Sequence, residues 1–268
     1  MSLGEGLRLA TGTFTRSPSG QVTITPATAR SALLLAPLAV VPLALQVLLV
    51  CLTVEVGVPP LVAAAAALGV LAYGTRAMHL DGLADTVDGL GAGWTRERAL
   101  QVMRSGDVGP MGVAALVLVL LVQAAAIATL LSYGWWGAPI ISAAVIASRA
   151  AAAVVCATGH PPSEGSRLGA AFVGSVHPVT ALLLTLTVTA VLVLSVWPVV
   201  LAHRDDPDLW AVVRIVAAAA AAAPLGLWAA IVLRAKAART FGGVSGDVIG
   251  AGVEIALTVI LVTLTLGW

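Results

Sequence analysis

An acidic segment of the chain carries the side chains best suited to chemistry. It runs from His79 to Gly89 and contains Asp81, Asp85 and Asp88, three of the 13 acidic residues in the sequence. If the segment is helical, these aspartates recur at i, i+4 and i+7, so their carboxylates share one face. Their mutual repulsion then requires a cation or a basic partner. Because Mg²⁺ favours a few carboxylates together with substrate phosphates, the spacing predicts a metal site.

The alternative interpretation of this segment is a solvated acidic loop that binds no metal. Apolar residues alternate with the aspartates, namely Leu80, Leu83, Ala84 and Val87. This alternation is typical of a helix that has one packed side and one ligand side. We therefore expect a helix that holds a metal ion rather than a free loop.

The elements that must position this segment are membrane helices. Hydrophobic residues make up 59% of the chain and charged residues only 10%, and the mean hydropathy is +1.02. A soluble domain has roughly 25% charged residues. Seven segments approach the ~20 apolar residues that cross a bilayer. They are approximately Ser31–Val54, Pro59–Met78, Gly109–Leu131, Gly137–Ala157, Val179–Ala202, Ala211–Leu233 and Val248–Trp268.

The expected fold is all-α, a polytopic integral membrane protein of about seven transmembrane helices in one domain over residues 1–268. An N-terminal segment, residues 1–30, would lie in the cytoplasm, and a catalytic loop, about residues 76–109, would follow the second span. If the N-terminus is cytoplasmic, 11 of the 14 basic residues lie in cytoplasmic segments. The other three are Arg149, Arg204 and Arg214. The positive-inside rule therefore predicts an active site at the cytoplasmic face.

A second group of ionisable residues lies in and before the last span. Asp247 and Glu254 are seven residues apart, two helical turns along one face, and Glu254 falls inside the apolar run. An ionisable side chain at membrane depth needs a partner or a polar cavity. Arg149, in the fourth span, is the natural opposite charge. Either Arg149 and Glu254 form a structural ion pair, or Arg149 binds a phosphate in a cavity open to the cytoplasm.

The remaining cytoplasmic loops contain weaker signals. In the middle loop Glu164 and Arg167 lie near His160 and His177, but neither histidine has the spacing of a metal ligand, and both are interpreted as ordinary loop residues. The outer segment 203–208 is interpreted as a solvated turn. There is no basic patch interleaved with aromatic residues, so no nucleic-acid partner is expected.

Taken in order, the motifs resemble those of the cobalamin synthase family, also called adenosylcobinamide-GDP ribazoletransferase. The acidic segment is the most specific of these motifs. The later short motifs are weak individually, but their occurrence in the same order supports the resemblance. The matching segments are His79–Gly89, Arg96–Leu100, Gly112–Leu121, Ser148-Arg149, Glu164-Gly165, Gly169–Phe172 and Gly243–Ala251. One position departs from the family pattern, since Asp107 stands where the family usually carries an arginine.

The resemblance implies the last assembly step of the cobalamin nucleotide loop at the inner membrane of a prokaryote. Adenosylcobinamide-GDP would react with α-ribazole or its 5′-phosphate to give adenosylcobalamin or its phosphate and GMP, with Mg²⁺ as cofactor. The partners would be these substrates and the lipid bilayer, and a homo-oligomer is left open. The implied metal-binding and catalytic residues are Asp81, Asp85, Asp88 and Asp247, the last as a further ligand or general base. The implied substrate-binding residues are His79, Arg104, Arg149, Glu164, Arg167 and Glu254.

Two other classes remain open at this point. The segment Asp85–Gly89 begins like the Asp-x-x-Asp-Gly motif of the CDP-alcohol phosphotransferases, but the downstream aspartates of that motif are missing. A transporter is the non-enzymatic alternative. Transporter sites lie near the bilayer midplane between repeats, whereas these carboxylates gather at one membrane edge and no inverted repeat is visible.

Overall fold

The computed structural model describes residues 3–93, 95–202 and 209–268, and over these residues the chain is built from α-helices. It contains no strand within this part, only two isolated bridges between loops. The predicted all-α fold is confirmed, while the predicted turn at 203–208 lies outside the described residues. The helices are α1 (Leu3–Phe14), α2 (Pro26–Ala39), α3 (Val41–Cys51), α4 (Pro60–Gly74), α5 (Met78–Gly91), α6 (Arg96–Met103), α7 (Pro110–Leu131), α8 (Gly137–Ser148), α9 (Ala150–Val155), α10 (Arg167–Phe172), α11 (Pro178–Ala202), α12 (Leu209–Phe241) and α13 (Gly246–Thr265).

Six helical stretches of the described chain are long and apolar enough to cross a membrane, which confirms a multi-pass protein. The first combines α2, α3 and a short 3-10 turn, and the third combines α8 and α9. They correspond to the first and to the third to seventh spans predicted from hydropathy. Their bounds are Pro26–Val56, Pro110–Leu131, Gly137–Val155, Pro178–Leu201, Leu209–Phe241 and Gly246–Thr265.

The second predicted span differs from the prediction in its end and its length. Helix α4 ends at Gly74, and the chain turns by 89° into α5. Arg76 and Ala77 form the break with φ angles of 58° and 53°, a left-handed conformation that is uncommon for residues with a side chain. The 15 residues of α4 extend only about 22 Å, less than the ~30 Å hydrocarbon core. Met78 therefore begins the crosswise helix α5 rather than ending a span.

Burial divides the spans into central and peripheral helices. In the most apolar stretch of α8–α9, 89% of the residues are buried inside the protein, and in that of α13 72% are. The figure is 22% for α7 and for α11, which therefore face lipid. Runs of alanine on α8 and α9 let neighbouring backbones approach, as small residues do in membrane helix packing. The central helix α13 packs against α5, α7, α8, α9 and α12.

The positions of the helix ends agree with spans that cross the membrane in alternating directions. At the ends of α7 and α13 the rings of Tyr133 and Trp268 stack, with centroids 4.7 Å apart. Aromatic side chains of this kind favour the membrane interface. Their contact brings these two ends to the same side of the bundle, so Gly109 and Gly246, at the opposite ends, lie at the other side.

Candidate active site

Helices α5 and α13 approach each other closely because glycine occupies the two crossing positions. A Cβ atom added to Gly82 would lie 2.6 Å from the carbonyl oxygen of Asp247, and one added to Gly250 would lie 3.2 Å from the Cα atom of His79. Any side chain at Gly82 would force the helices apart. The first turns of α5 therefore lie directly against the first turn of α13, at the end of the bundle.

This approach brings together the aspartates that the sequence singled out. Asp81 is exposed, Asp85 is half-buried, and Asp247 faces them from α13. Partial burial, followed by the charges of Asp81, Asp247 and Asp88, raises the pKa of Asp85 from 3.8 to about 6. Asp81, Asp85 and Asp247 are called the carboxylate cluster below. The prediction that α5 is a helix with its aspartates on one face is confirmed.

Asp88, the third predicted metal ligand on α5, makes a different contact. Its side chain is buried, and its two carboxylate oxygens accept hydrogen bonds from the backbone N–H groups of Gly109, at 2.7 Å, and Gly112, at 2.9 Å. These are unpaired donors at the start of α7, where a carboxylate is also favoured by the helix dipole. Asp88 therefore connects α5 to α7, a role that no sequence motif indicated.

Asp247 is oriented by the start of its own helix. Ser245 is the N-cap of α13, and its hydroxyl accepts a hydrogen bond from the N–H of Val248 and donates one to Asp247 Oδ2 over 3.1 Å. The charge of Arg104, at the end of α6, acts on Asp247. The guanidinium of Arg104 also donates to the backbone carbonyl of Glu164. The charge of Arg104 therefore reaches the carboxylate cluster, and its predicted contact with a phosphate stays a prediction.

The three predicted cytoplasmic loops meet at this end of the bundle. The middle loop docks on the start of α13 through Ser163, whose N–H donates to the carbonyl of Val244 over 2.9 Å, and through Ser166, whose hydroxyl accepts from the N–H of Gly246 over 3.4 Å. The side chains of Glu164 and Arg167 are exposed on this loop. Their predicted contacts with substrate stay predictions.

A second polar group lies deeper in the bundle and is called the buried polar cluster: His79, Gln123, Arg149 and Glu254. Gln123 Nε2 donates to Glu254 Oε2 over 3.1 Å, and His79 Nδ1 lies 4.0 Å from Glu254 Oε1. Arg149 donates to Ser148 Oγ over 2.7 Å and is 1% exposed. Glu254 is about 12 Å along α13 from Gly246, so the cluster lies inside the membrane-spanning part. The contacts described above compensate its polar groups there.

Neither interpretation of Arg149 matches these contacts fully. Within the described residues the only ion pair within 4.0 Å joins His79 to Glu254, so Arg149 acts on Glu254 through its charge over a longer distance. Arg149 is 1% exposed, and with Gln123 and Glu254 it lines a small pocket between α4 and α7. Its predicted contact with a phosphate stays a prediction. Gln123, which the sequence analysis missed, supplies the direct contact with Glu254. A lone amide in the apolar helix α7 is the signal that could have revealed it.

A cavity opens beside the carboxylate cluster at the junction of five helices. Asp81 and Asp247 lie at it, and His79 forms part of its wall. The other walls are mainly apolar and come from α1, α2, α5, α10 and α13. They include Phe14, Leu33, Met78, Leu168, Phe172 and Ile249. The structure thus places His79, predicted to bind substrate, between this cavity and the buried polar cluster.

The donor set of the carboxylate cluster fits Mg²⁺ together with a substrate. Within the described residues no group of three or more His, Cys, Asp or Glu side chains is arranged to hold a metal ion by itself. Mg²⁺ usually keeps several waters and takes one or two carboxylates plus substrate phosphates, so it does not need such a group. No ion pair within 4.0 Å neutralises Asp81 or Asp85 in the described part of the chain. The excess negative charge therefore suits a hard cation.

Comparison with known proteins agrees with this arrangement. Residues 6–265 match the family described as cobalamin-5-phosphate synthase. The chain belongs to this family. A relative from a Nocardioides species, named adenosylcobinamide-GDP ribazoletransferase, is 40% identical over 256 residues, which cover 95% of each chain. The family assignment confirms the resemblance of the motifs, and it makes the chain a transferase of cobalamin biosynthesis.

Other members of the cobalamin-5-phosphate synthase family match over most of their length. The relative from Frankia casuarinae is 35% identical over 202 residues, 74% of this chain and 69% of its own. That from Corynebacterium efficiens is 35% identical over 213 residues, 77% of this chain and 70% of its own. Both are named adenosylcobinamide-GDP ribazoletransferase. No solved structure matches the chain.

Proposed function

We propose that the chain transfers the adenosylcobinamide phosphate group of adenosylcobinamide-GDP to a hydroxyl of α-ribazole or of α-ribazole 5′-phosphate, releasing GMP. The relatives' names support the donor and the ribazole acceptor. The observation that carries the proposal is the carboxylate cluster, which faces solvent at the end of the bundle beside a cavity and Arg104. Phosphoryl-type transfer consists mainly of positioning and charge neutralisation, and this donor set supplies both.

The proposed roles follow from the positions of the side chains. Asp81, Asp85 and Asp247 would hold Mg²⁺, which when bound neutralises the oxygens of the donor diphosphate. Arg104, held by the Glu164 carbonyl, would bind a diphosphate oxygen. Asp247, oriented by Ser245, would also accept the proton of the attacking hydroxyl. Asp88 supports the site by fixing α7 to α5 rather than by binding substrate.

The buried polar cluster has a supporting role in this proposal. Arg149 and Glu254 do not line the cavity, and Glu254 is held by Gln123 away from the carboxylate cluster. We therefore assign Arg149 and Glu254 to the stability of α5 and α13 rather than to substrate phosphate. His79 lies at the boundary of the two groups.

Release of GMP by the purified protein in lipid nanodiscs tests the reaction. With adenosylcobinamide-GDP, α-ribazole and Mg²⁺, we expect GMP and a corrinoid product whose mass equals that of adenosylcobinamide phosphate plus α-ribazole less one water. Chelation of Mg²⁺ with EDTA should stop GMP release, and added Mg²⁺ should restore it. Turnover of a CDP-alcohol instead, or transport of the corrinoid without GMP release, would replace the proposal with one of the other classes.

We also propose that the carboxylate cluster faces the cytoplasm of a prokaryote and that the N-terminus lies on the same side. The distribution of basic residues supports this orientation. Cysteines introduced at Ala92 and Glu55 test it, because Cys51 and Cys156 are buried. An impermeant thiol reagent should label the Glu55 site in intact spheroplasts and the Ala92 site only after lysis. The reverse pattern would place the cluster outside.

A further inference from the structure

The cavity beside the carboxylate cluster has the size of a single ring system. Its volume is about 160 Å³. Pockets that enclose a whole drug-sized ligand measure roughly 300–1,000 Å³. A complete guanine nucleotide is itself drug-sized, and a corrinoid is larger still. The cavity can therefore enclose one part of a substrate, whose remainder extends past Asp81 and Asp247.

The walls of the cavity favour an apolar aromatic group. Phe14 and Phe172 contribute rings, and Leu33 and Ile249 contribute aliphatic surface. Phe14, Leu33 and Phe172 are at most 2% exposed, so the wall that they form is preformed by packing. A flat apolar group that leaves water for this cavity gains about 25 cal/mol for each Å² of apolar surface buried.

One buried polar side chain of the wall, His79, lacks a hydrogen-bond partner, although its Nδ1 lies 4.0 Å from Glu254 Oε1. His79 is 2% exposed, and neither Nδ1 nor Nε2 makes a hydrogen bond within the described structure. Leaving a buried polar group without a hydrogen bond is unfavourable, so such a group in a cavity wall points to a ligand that completes it. An imidazole ring can donate one hydrogen bond and accept one.

The two substrates of the proposed reaction carry different bases. Guanine presents two donor groups and several acceptors, and an apolar wall would leave most of them unpaired. The base of α-ribazole is dimethylbenzimidazole, a bicyclic aromatic ring with two methyl groups and, once joined to ribose, one free ring nitrogen. Its single free ring nitrogen matches His79, the buried side chain of the wall without a hydrogen bond, and its apolar edge matches the apolar part of the wall.

We propose that this cavity binds the dimethylbenzimidazole base of the acceptor, with His79 as its hydrogen-bond partner. The inference rests on the proposed function and assigns one substrate to one subsite. With the base between Phe14 and Phe172, the attached ribose extends towards Asp81 and Asp247. The attacking hydroxyl then lies next to the carboxylates that would hold the metal. The guanine of the donor binds elsewhere.

The substitution Leu33→Phe tests the cavity by filling it. Steady-state GMP release should show a KM for α-ribazole raised at least about tenfold, since a methylene group more or less in an apolar pocket changes binding by 10–200-fold. The KM for adenosylcobinamide-GDP should change less than about twofold. The same substitution at Leu130, which is buried on α7 away from the cavity, is the control and should leave both KM values unchanged.

Two further variants keep the test decisive if Leu33→Phe fails to fold. Leu33→Ala should improve turnover of a ribazole analogue with a larger naphthimidazole base relative to α-ribazole. His79→Phe, which keeps a ring but removes its nitrogens, should raise the KM for α-ribazole and not that for the donor. If the wild type releases GMP but these variants raise the donor KM instead, the cavity belongs to the donor and the inference is wrong. If the wild type releases no GMP, the proposed function itself fails.

Discussion

The carboxylate cluster and the buried polar cluster are built on the same two helices but differ in charge balance and access to water. Helix α5 contributes Asp81 and Asp85 to the first cluster and His79 to the second. Helix α13 contributes Asp247 to the first and Glu254 to the second. The carboxylate cluster holds only acids, at an exposed end of the bundle. The buried polar cluster contains an arginine, an amide and an imidazole beside its single acid.

This difference shows which ionisable residues of a membrane protein need an external partner. Glu254 has Gln123 as a hydrogen-bond donor and the charge of Arg149 nearby, so burial at membrane depth is compensated from within. The carboxylates of Asp81 and Asp85 repel each other and have no basic side chain within ion-pair distance in the described chain. The first cluster is therefore suited to binding a cation and its substrate, and the second to holding helices together.

The largest expected effect comes from the carboxylate cluster. Asp85→Asn should lower the rate of GMP release by at least ~10³-fold, because it removes a ligand from a small Mg²⁺ site. Expression and thermal stability in detergent should stay near those of the wild type. Asp107→Asn, an exposed aspartate in the adjacent loop, is the matched control and should retain activity. Near-normal GMP release by Asp85→Asn at limiting Mg²⁺ would remove Asp85 from the site.

The next largest effect distinguishes the two clusters, because a substitution in the buried polar cluster should lower stability rather than activity. Arg149→Met should lower the free energy of unfolding by about 3 kcal/mol, because the buried Glu254 loses the opposite charge of Arg149. The double variant Arg149→Met with Glu254→Gln should recover most of the melting temperature, since the hydrogen bond from Gln123 is kept. It should also release GMP within about tenfold of the wild-type rate. A stable but inactive double variant would show that Arg149 takes part in the reaction.

A smaller effect is expected from a substitution at Gly82, where α5 contacts α13. In Gly82→Ala the new methyl group would meet the backbone of Asp247, so α5 and α13 must separate. Displacement of catalytic groups by about 1 Å can cost ~10²-fold in rate. Gly69→Ala, on α4 where no atom lies within 4 Å of the new Cβ, should retain full activity. Equal activities of the two variants would mean that the close approach is unnecessary.

The smallest effect concerns Asp88. In Asp88→Ala the N–H groups of Gly109 and Gly112 lose their acceptor, which should cost about 1–2 kcal/mol, as for other helix caps. Asp88→Asn retains one oxygen and should cost less. Melting curves in detergent provide the measurement, with Asp107→Ala as the control. If Asp88→Ala abolishes Mg²⁺-dependent GMP release without changing the melting temperature, Asp88 is a ligand rather than a cap.

The sequence predicted the parts that depend on local periodicity. The apolar runs located six spans, and the spacing of Asp81, Asp85 and Asp88 predicted a helix with an acidic face. Helix α1 was missed because residues 1–30 were interpreted as a polar segment. Its buried residues Gly6, Ala10 and Phe14 recur every four positions. This periodicity is hard to recognise in the sequence because two of the three residues are small.

Other features depend on tertiary contacts and could not be predicted locally. The 89° turn occurs at Arg76 and Ala77, neither of which is a glycine or a proline. At this turn Arg76 donates a hydrogen bond to the carbonyl of Gly12 at the end of α1, over 2.9 Å. Asp88 caps a helix that begins 22 residues later in the sequence. The cavity beside Asp247 requires five helices, two of which, α1 and α10, have no clear sequence signal.

Electron paramagnetic resonance can measure the binding of Mn²⁺, in place of Mg²⁺, to the purified protein in nanodiscs. This measurement tests most directly whether the carboxylate cluster, and not the buried polar cluster, binds the metal. Adenosylcobinamide-GDP should strengthen binding in the wild type, because substrate phosphates complete the coordination shell. This donor-dependent binding should be lost in Asp85→Asn and kept in Glu254→Gln. Loss of binding in Glu254→Gln with retention in Asp85→Asn would contradict the account.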